Sequence, residues 1–483
     1  MSQIRFRWVY CQLDTLRQCL PSGVRQTLEE LPESLDGTYE RIVVDIRRAN
    51  KAHAYRMLQC LAVAIRPLTV AELAELLAFD FNAAKGGIPK LNANWRWEDH
   101  EQAVLSTCSS LITIVPGDSS PVVQFSHFSV REFLLSDRIA TSTEDLSRYH
   151  IILGDANTLI ARACLGVLLR DPVDETGEGA APLAKYAAKH WVAHARAENV
   201  ASRVCGGMQN LFNSDKPYFS AWVKLHDVQD DLVTALWVVD SNVINKIQPA
   251  AVPLYYAAMC GFHEIVEHLA LNYPQYSNSI CGKGGTALHV ASDEGHVQVV
   301  RSLLKCGVDV DSPGTLGMSP LQYASENGNI GIVRCLLDHG ADPNFRDANQ
   351  ATPLCCAAIS SHEIVRLLLD RNVDVNARDK DGRTPLHHTF LYNDPKADYP
   401  KIVRLLLEHG ANPNTRDNKH QTPLHLFSSN SFHPTSKLEA VRVLLAHGAE
   451  VDVEDKKGRT PSQVASENGK DEFVQLLSEY RSK

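Results

Sequence analysis

The chain has 483 residues, of which 44% are hydrophobic and 22% charged, and its formal net charge is −9. These values fit a globular protein of about three domains, and the acidic balance argues against general binding to nucleic acid or to an anionic membrane. No run of about 18 apolar residues is present, which argues against a membrane-spanning helix.

The N-terminus and the cysteines bear on location. Met1–Leu20 contains three arginines, Asp14 and no apolar core, unlike a secretory signal. The twelve cysteines include no C-x-x-C pair, which is typical of reduced thiols. We therefore expect an intracellular protein, in the cytoplasm or, as the alternative, in the nucleus. The neighbours Cys355 and Cys356 are expected to be small core residues.

The first 250 residues predict mostly helices, with one β-hairpin. Residues 1–50 predict a helix that begins near Arg5 and stops at Pro21, and a second from Ser22 to about Leu31. Within 51–140, a capping box of Thr69 and Glu72 predicts one helix start, and Ser129 with Glu132 predicts another. The other elements expected in this half are helices at His53–Ile65, Glu98–Ser109, Leu183–Glu198 and Asp230–Ile247, strands at Ser110–Val115 and Val122–Ser126, and a loop at Asp171–Pro182.

A short phrase, Thr384-Pro385-Leu386-His387, recurs through the second half of the chain. Counterparts begin at Val252, Thr286, Ser319, Thr352, Thr422 and Thr460, at intervals of 32 to 38 residues. A period near 33 with this tetrapeptide resembles the ankyrin repeat, and we count seven units. The resemblance implies a stack of helix–turn–helix units joined by finger-like turns, with a shared core.

Helix-stop residues confirm the register of these units. Gly307, Gly340, Asn372, Gly410 and Gly448 each lie 12 residues before the next Thr or Ser. Gly and Asn tolerate the left-handed backbone that ends a helix. All variation in length therefore falls between the two helices of a unit, where two inserts are expected near Tyr392–Pro400 and Ser428–Ser436. The apolar run from Ile402 to Leu407 predicts a buried outer helix.

Three phrases in the first half carry a second resemblance. Leu31–Ile42 resembles the closing helical segment of fungal NACHT-type NTPases that have ankyrin tails. Arg66–Leu73 and Phe125–Leu135 resemble the winged-helix domain of the GPI inositol-deacylase type that follows the NTPase in that family. The resemblance implies an internal regulatory module and an NTPase core that would lie before Met1.

The expected fold is mainly α: a helical arm and a winged-helix domain followed by an ankyrin-repeat α-solenoid. We expect four segments: NACHT-adjacent helices over 1–50, the winged helix over 51–140, a helical linker domain over 141–250, and about seven ankyrin repeats over 251–483.

Catalytic and metal-binding chemistry is not predicted. A phosphate-binding loop needs G-x-x-x-x-G-K-[ST], and neither Gly282-Lys283 nor Gly469-Lys470 has that context. His263 and His268 are five residues apart, so they do not share a helical face as zinc ligands would. His190 and His194 do share a face, without a third ligand nearby in sequence. We therefore expect no cofactor, no metal, no small-molecule substrate and no enzymatic activity.

Repeated polar residues in the ankyrin half are expected to be structural. The resemblance implies that the motif histidines His289, His387 and His425 bond near the preceding Thr and to neighbouring backbone. The aspartates of the fingers are expected to cap their turns, at Asp347, Asp379, Asp417 and Asp455. Asn376 and Gly382 are likewise expected to be structural.

The remaining finger side chains are predicted to be free to bind a partner on the concave face. Most are basic, although the whole chain is acidic, and they form either a solvated rim or a mildly positive stripe that steers an acidic protein segment into the groove. They are Arg346, Asn349, Gln350, Arg378, Lys380, Asp381, Arg383, Arg416, Lys419, His420, Lys456, Lys457 and Arg459.

The sequence thus favours a non-catalytic scaffold that binds a protein partner. One alternative is the C-terminal sensor or regulatory part of a NACHT-type signalling NTPase. The other is a winged-helix DNA-binding regulator, which is disfavoured because residues 52–140 contain seven Lys or Arg against nine Asp or Glu.

Overall fold

The computed structural model describes residues 34–46, 50–81, 87–92, 95, 99–100, 102, 104–105, 110–118, 120–170, 181–225, 253–281, 285–314, 316–392, 394–429 and 435–481. The two helices expected before residue 34, the helix at Asp230–Ile247, nearly all of the loop at Asp171–Pro182 and most of the helix at Glu98–Ser109 lie outside these residues. The chain divides into two compact units, Met1–Trp237 and Val238–Lys483, and each is described by itself.

The first unit is helical apart from small sheets. Its helices are α1 (Leu35–Val44), α2 (Lys51–Val63), α3 (Val70–Leu77), α4 (Phe128–Leu135), α5 (Asp137–Ala140), α6 (Glu144–Ser147), α7 (Leu153–Leu168), α8 (Ala184–Ala195), α9 (Val200–Leu211) and α10 (Tyr218–Leu225). Its strands are β1 (Leu68–Thr69), β2 (Phe79–Asp80), β3 (Lys90–Leu91), β4 (Ile112–Val115) and β5 (Val122–Phe125). Among the described residues, no helix has the length and apolarity to span a membrane.

The β-hairpin and one capping box of the winged-helix segment are confirmed. Strands β4 and β5 pair antiparallel, with Ile112 opposite Phe125 and Val115 opposite Val122. Strand β1 pairs with the other edge of β5, which gives the sheet order β1-β5-β4. Thr69 caps α3 in a reciprocal capping box with Glu72, as its sequence predicts.

The start of α4 corrects the sequence prediction. Its N-cap is His127, whose Nδ1 accepts a hydrogen bond from the backbone N–H of Ser129, so Ser129 and Glu132 do not form a capping box. The Ser129 hydroxyl is instead 2.6 Å from His127 Nδ1 and 2.9 Å from the Tyr39 hydroxyl. Because Tyr39 lies on α1, the sequence near Ser129 does not reveal this partner.

Buried polar contacts join the winged-helix segment to the helices that follow it. The Glu72 carboxylate accepts two hydrogen bonds from Arg66, whose guanidinium carbon lies 5.0 Å from the centroid of the Tyr186 ring. The Tyr186 hydroxyl is 2.8 Å from His194 Nε2, and His194 Nδ1 is 2.8 Å from Asn157 Oδ1. Burial lowers the pKa of His194 to about 4, so this histidine is a neutral core residue.

The described residues of the second unit form seven helix pairs, as the repeat count predicts. They are α11 (Pro253–Met259) with α12 (His263–Asn272), α13 (Ala287–Asp293) with α14 (Val297–Lys305), α15 (Pro320–Glu326) with α16 (Ile330–Asp338), α17 (Pro353–Ala357) with α18 (His362–Leu369), α19 (Pro385–Leu391) with α20 (Tyr399–Glu408), α21 (Pro423–Ser429) with α22 (Thr435–Ala446), and α23 (Pro461–Glu467) with α24 (Asp471–Arg481). A 3₁₀ turn at Pro274–Tyr276 follows α12.

The capping and stop residues of the repeat units lie where the sequence predicts them. Thr384 caps α19 from an extended backbone, with Pro385 in the first turn. All five predicted stop residues have positive φ angles, including Asn372 at 55°. Each outer helix is too short to be stable alone, so stacking of its apolar face supplies its stability. Leu406 of α20 is fully buried in that core, as predicted.

The insert between α19 and α20 is anchored by aromatic and cationic side chains. The Tyr399 hydroxyl accepts a hydrogen bond from the Asp394 N–H at 2.6 Å. Lys437 is fully buried, donates to the Tyr392 carbonyl at 2.5 Å, and lies 4.5 Å from the centroid of the Tyr399 ring. Burial, together with the charge of Lys470, lowers the pKa of Lys437 to about 8.

Candidate protein-binding surface

Four successive finger turns are each built around one aspartate, as predicted. The Asp417 carboxylate accepts hydrogen bonds from the backbone N–H groups of Lys419 and Gln421, both at 2.8 Å. Asp347, Asp379 and Asp455 accept equivalent bonds from their own turns. The residue three after each aspartate has a positive φ angle, at Gln350, Gly382, His420 and Gly458. Identical turns therefore present equivalent side chains at each finger.

Neighbouring fingers are joined by a ladder of hydrogen bonds. The Asn376 amide donates to the Gly410 carbonyl at 3.0 Å and accepts from the Asn412 N–H at 2.9 Å. Asn414 makes the same two contacts one unit later. At the tips, the backbone N–H groups of Lys380, Asn418 and Lys456 donate to carbonyls of the preceding finger, at 2.7 to 3.0 Å. These bonds give the side chains of the fingers a fixed spacing.

The motif histidines bridge each unit to the next. His387 Nδ1 accepts from the Thr384 N–H at 3.1 Å, and His387 Nε2 donates to the Gln421 carbonyl at 3.1 Å. His289 and His425 make the same contacts. Burial lowers the pKa of His387 and of His289 to about 4, so both side chains are neutral. Their predicted structural role is confirmed.

Four units have another residue at the histidine position, at Tyr255, Gln322, Cys355 and Gln463. Gln322 preserves both contacts, because its Oε1 accepts from the Ser319 N–H and its Nε2 donates to the Ala351 carbonyl at 2.9 Å. Cys355 is shorter; it is buried, and its sulfur lies 3.6 Å from the Thr352 hydroxyl. Among the described residues, Cys355 makes no equivalent hydrogen bond to the unit that follows it.

The predicted partner-binding residues lie together on the fingers. Arg383 and Arg459 are half-buried, and the other eleven are exposed. The expectation that all of them are free is wrong for four arginines. Arg383 pairs with Asp381 at 2.8 Å, and Arg459 pairs with Asp455 and Glu467 at 2.8 and 2.7 Å. Arg346 and Arg378 hydrogen-bond the next finger.

Three arginines form a row that the sequence interpretation did not recognise as a unit. We call Arg346, Arg378 and Arg416 the arginine column. The Arg346 guanidinium donates to the Arg378 carbonyl at 3.0 Å, and the Arg378 guanidinium donates to the Arg416 carbonyl at 2.5 Å. All three residues directly precede the turn aspartate. That shared position is the feature of the sequence that could have indicated the row.

The exposed charge at the tips of the fingers is positive. Seven exposed Lys or Arg side chains lie on them, at Arg346, Arg378, Lys380, Arg416, Lys419, Lys456 and Lys457. The exposed acids within the same turns are Asp381 and Glu454, because the turn aspartates direct their carboxylates to their own backbone. The excess of positive charge is thus confined to the tips, because other exposed acids lie earlier in the same fingers, at Asp342, Asp374, Glu450 and Asp452.

A second row of arginines was missed on the opposite helices. Arg301, Arg334, Arg366, Arg404 and Arg442 occupy one position of five successive outer helices, and all are exposed. The guanidiniums of Arg334, Arg366 and Arg404 make no ion pair with any described residue. The identical Val-Arg dipeptide before each outer-helix core was the available signal.

The inner helices form a more acidic wall behind the fingers. Partial burial, together with the nearby carboxylates of Asp293 and Asp347, raises the pKa of Glu326. Burial, with Asp293 and Glu326, raises the pKa of Tyr323 to about 12. Two units further on, His388 Nε2 lies 2.9 Å from the Asp379 carboxylate. The finger edge and the inner wall thus differ in charge.

The metal-ligand and thiol candidates of the sequence have structural positions in the part of the chain that the structure describes. No group of three or more His, Cys, Asp or Glu residues there could bind a metal. His263 begins outer helix α12, and His194 is committed to Tyr186 and Asn157. Burial raises the pKa of Cys355 to about 11, and burial also raises that of Cys356, so neither thiol is an activated nucleophile.

Two family models match this chain. The model described as ankyrin repeats matches residues 229–314, 254–347, 321–417 and 396–483, which together span more than half of the chain. The model described as GPI inositol-deacylase, winged helix domain, matches residues 39–145.

Similar proteins include one curated relative and one solved structure. The relative is "Azaphilone pigments biosynthesis cluster protein L" of Monascus ruber, 31% identical over 302 residues, which are 59% of this chain and 61% of the relative. The chain thus spans about three fifths of the length of that relative. The solved structure is the ankyrin repeat domain of Bcl-3, a member of the IkappaB protein family, at 28% identity and a TM-score of 0.37, over 47% of this chain and 99% of that one.

Proposed function

Because this chain belongs to the ankyrin-repeat family, we propose that it is a non-catalytic intracellular scaffold that binds a protein partner through the concave side and fingers of its solenoid. The observation that supports this proposal is the exposed positive surface of four successive fingers, from Arg346 to Lys457. The partner segment is acidic, because opposite charge steers association and fixes register.

The structure supports lysines as the residues that steer the partner. Lys380, Lys419, Lys456 and Lys457 are exposed, and none of their ammonium groups is paired with a described carboxylate. Arg383 is less suitable, because it is half-buried and its Nε lies 3.9 Å from the Asp417 carboxylate. Exposed charges contribute little to stability, so these four lysines can be changed without loss of the fold.

The test reverses the charge of these four lysines together, as Lys→Glu, in the full chain. Partners are identified by affinity capture with the unmodified protein, and association of the purified partner is then followed by stopped-flow fluorescence. The variant is expected to associate about tenfold more slowly at low ionic strength, and the deficit should shrink as salt is added. The melting temperature should be nearly unchanged.

A matched control comes from the outer helices. Reversal of Arg301, Arg334, Arg366 and Arg404 changes the net charge by the same amount on a different face. If this control slows association as much as the lysine variant, the effect is that of net charge alone and the finger surface is not the binding surface. Unchanged association of the lysine variant at low salt would also contradict the proposal.

For the N-terminal unit we propose a regulatory role, as the internal module of a NACHT-type signalling protein. Support comes from the winged-helix match and from two contacts with the helices that follow, the Arg66 guanidinium over the Tyr186 ring and the Leu183 N–H, which donates to the Glu75 carboxylate at 2.8 Å. This chain should bind neither ATP nor GTP; calorimetric titration that shows micromolar binding would contradict a non-catalytic function.

A further inference from the structure

We propose that the arginine column selects an extended partner segment that has an acidic residue at every third position over seven residues. This inference rests on the proposed function, because it assumes that an acidic segment binds the fingers. It specifies the spacing of the acidic residues in the partner segment, in addition to the sign of their charge.

The column is a preorganised row of donors. Each of the first two guanidiniums is fixed by a hydrogen bond to the carbonyl of the next arginine, at 3.0 Å from Arg346 and 2.5 Å from Arg378. Gly382 leaves room for the second, because a Cβ at that residue would lie 2.9 Å from Arg378 Nη2. A guanidinium has five N–H donors, so several stay available on each exposed side chain.

The spacing follows from how the units stack. Successive inner helices pack side by side, and packed helices are about 8–10 Å apart. Equivalent finger residues repeat at that distance because the ladder through Asn376 and Asn414 joins one finger to the next. A segment in the extended polyproline II conformation advances about 3.1 Å per residue with three residues per turn, so three residues span about 9 Å. Every third side chain of such a segment lies on the same face and meets the next guanidinium.

Arginine is suited to recognise a carboxylate at each step. Its planar fork matches the two oxygens of a carboxylate, and a donor that is already fixed loses less entropy on binding. The arginine column also ends on both sides, because the equivalent positions before and after it are not arginine. Pro313 occupies the equivalent position before Arg346, and Glu454 occupies it after Arg416. Three acidic residues, and not a longer acidic run, therefore fit the column.

The experiment uses the full chain and three synthetic peptides in fluorescence anisotropy at low ionic strength. The first peptide has aspartates at positions i, i+3 and i+6 in a Pro and Ser background, which favours polyproline II. The second has the same composition with the aspartates at i, i+1 and i+2. The third has asparagine in place of each aspartate. The first peptide should bind about tenfold more tightly than the second, as three weak exposed pairs combine.

Variants identify the residues responsible. Arg346→Gln, Arg378→Gln and Arg416→Gln should each weaken binding of the first peptide about two- to fivefold, and the triple variant should remove the preference for spacing. The control is the triple Arg334→Gln, Arg366→Gln and Arg404→Gln variant, which removes the same charge from the same three units. A triple Arg→Lys variant of the column is a further control. Thermal melting of all three triple variants shows whether a loss of binding is caused by loss of the fold.

The outcomes distinguish the spacing rule from the proposal that the partner is acidic. Equal binding of both aspartate peptides would overturn the spacing rule while leaving an acidic partner in place. Equal binding of the asparagine peptide would overturn the acidic partner as well. An equal loss in the control triple variant would also overturn the inference, because charge on any face would then suffice.

Discussion

Replacement of His387 by glutamine separates the structural role of this histidine from its titration. In the wild-type stack, His387 accepts a hydrogen bond from Thr384 and donates one to the Gln421 carbonyl. Gln322 makes the same two contacts in an earlier unit. His387→Gln should therefore preserve the bridge at neutral pH, within about 1 kcal/mol of unfolding free energy. His387→Ala should cost about 2–5 kcal/mol, because a buried N–H and a buried carbonyl lose their partner.

The pH dependence gives the sharper contrast. A carbonyl only accepts hydrogen bonds, so Nε2 carries the proton and Nδ1 is the acceptor; protonation of Nδ1 would break the bond from Thr384. Burial lowers the pKa of His387 from 6.5 to about 4 in the folded state. As pH falls below 6.5 the unfolded chain binds a proton that the folded chain does not, so stability is lost between pH 6.5 and about 4. Near pH 5 this loss is about 2 kcal/mol for one histidine.

The assay is urea unfolding of the second unit, followed by far-ultraviolet circular dichroism near neutral pH and in steps down to about pH 5. His387→Gln should lose about 2 kcal/mol less than the wild type over this range, while His289 continues to titrate in both. If His387→Gln shows the wild-type pH dependence, His387 does not stay neutral in the fold. If His387→Gln is as destabilised at neutral pH as His387→Ala, the stabilising contribution of the His387 side chain is not its hydrogen bond to Gln421.

Two further predictions concern the same unit. Residues 238–483 expressed alone should melt cooperatively, because each unit of a solenoid contacts only its neighbours; an aggregated or molten product would show that preceding helices complete its core. Leu406→Ala should cost about 2–5 kcal/mol of unfolding free energy, because the side chain is fully buried. The adjacent Leu407 is only half-buried, so an equal loss for Leu407→Ala in urea unfolding would contradict this assignment of the outer-helix face.

The sequence predicts the ankyrin half well because its constraints are local and repeated. The left-handed stop at Asn372, the turn carboxylate of Asp417 and the cap at Thr384 each depend on residues within about one turn of helix or loop. Repetition then confirms each assignment several times. The capping box at Thr69 is predictable for the same reason.

Contacts between distant residues could not be predicted in this way. The cap of α4 differs from the expected one because Ser129 bonds to Tyr39, ninety residues away. The contact of Arg66 with Tyr186 spans the boundary expected between two domains, and no periodicity indicates it. On the fingers, charge and position predicted exposure, but the bond from Arg346 to the Arg378 carbonyl depends on the stacking geometry.

The cysteine at position 355 has a mechanical consequence for the stack. Flanking interfaces have a hydrogen bond from Gln322 or His387 to the following unit, and Cys355 cannot supply one. In a solenoid the total stability is a sum over units and interfaces, so the interface without that bond is the weaker link between stronger neighbours. Under tension, or as the stack flexes around a ligand, the units on either side of residue 383 should part there first. The seven units would then move as two groups, one before residue 383 and one after it.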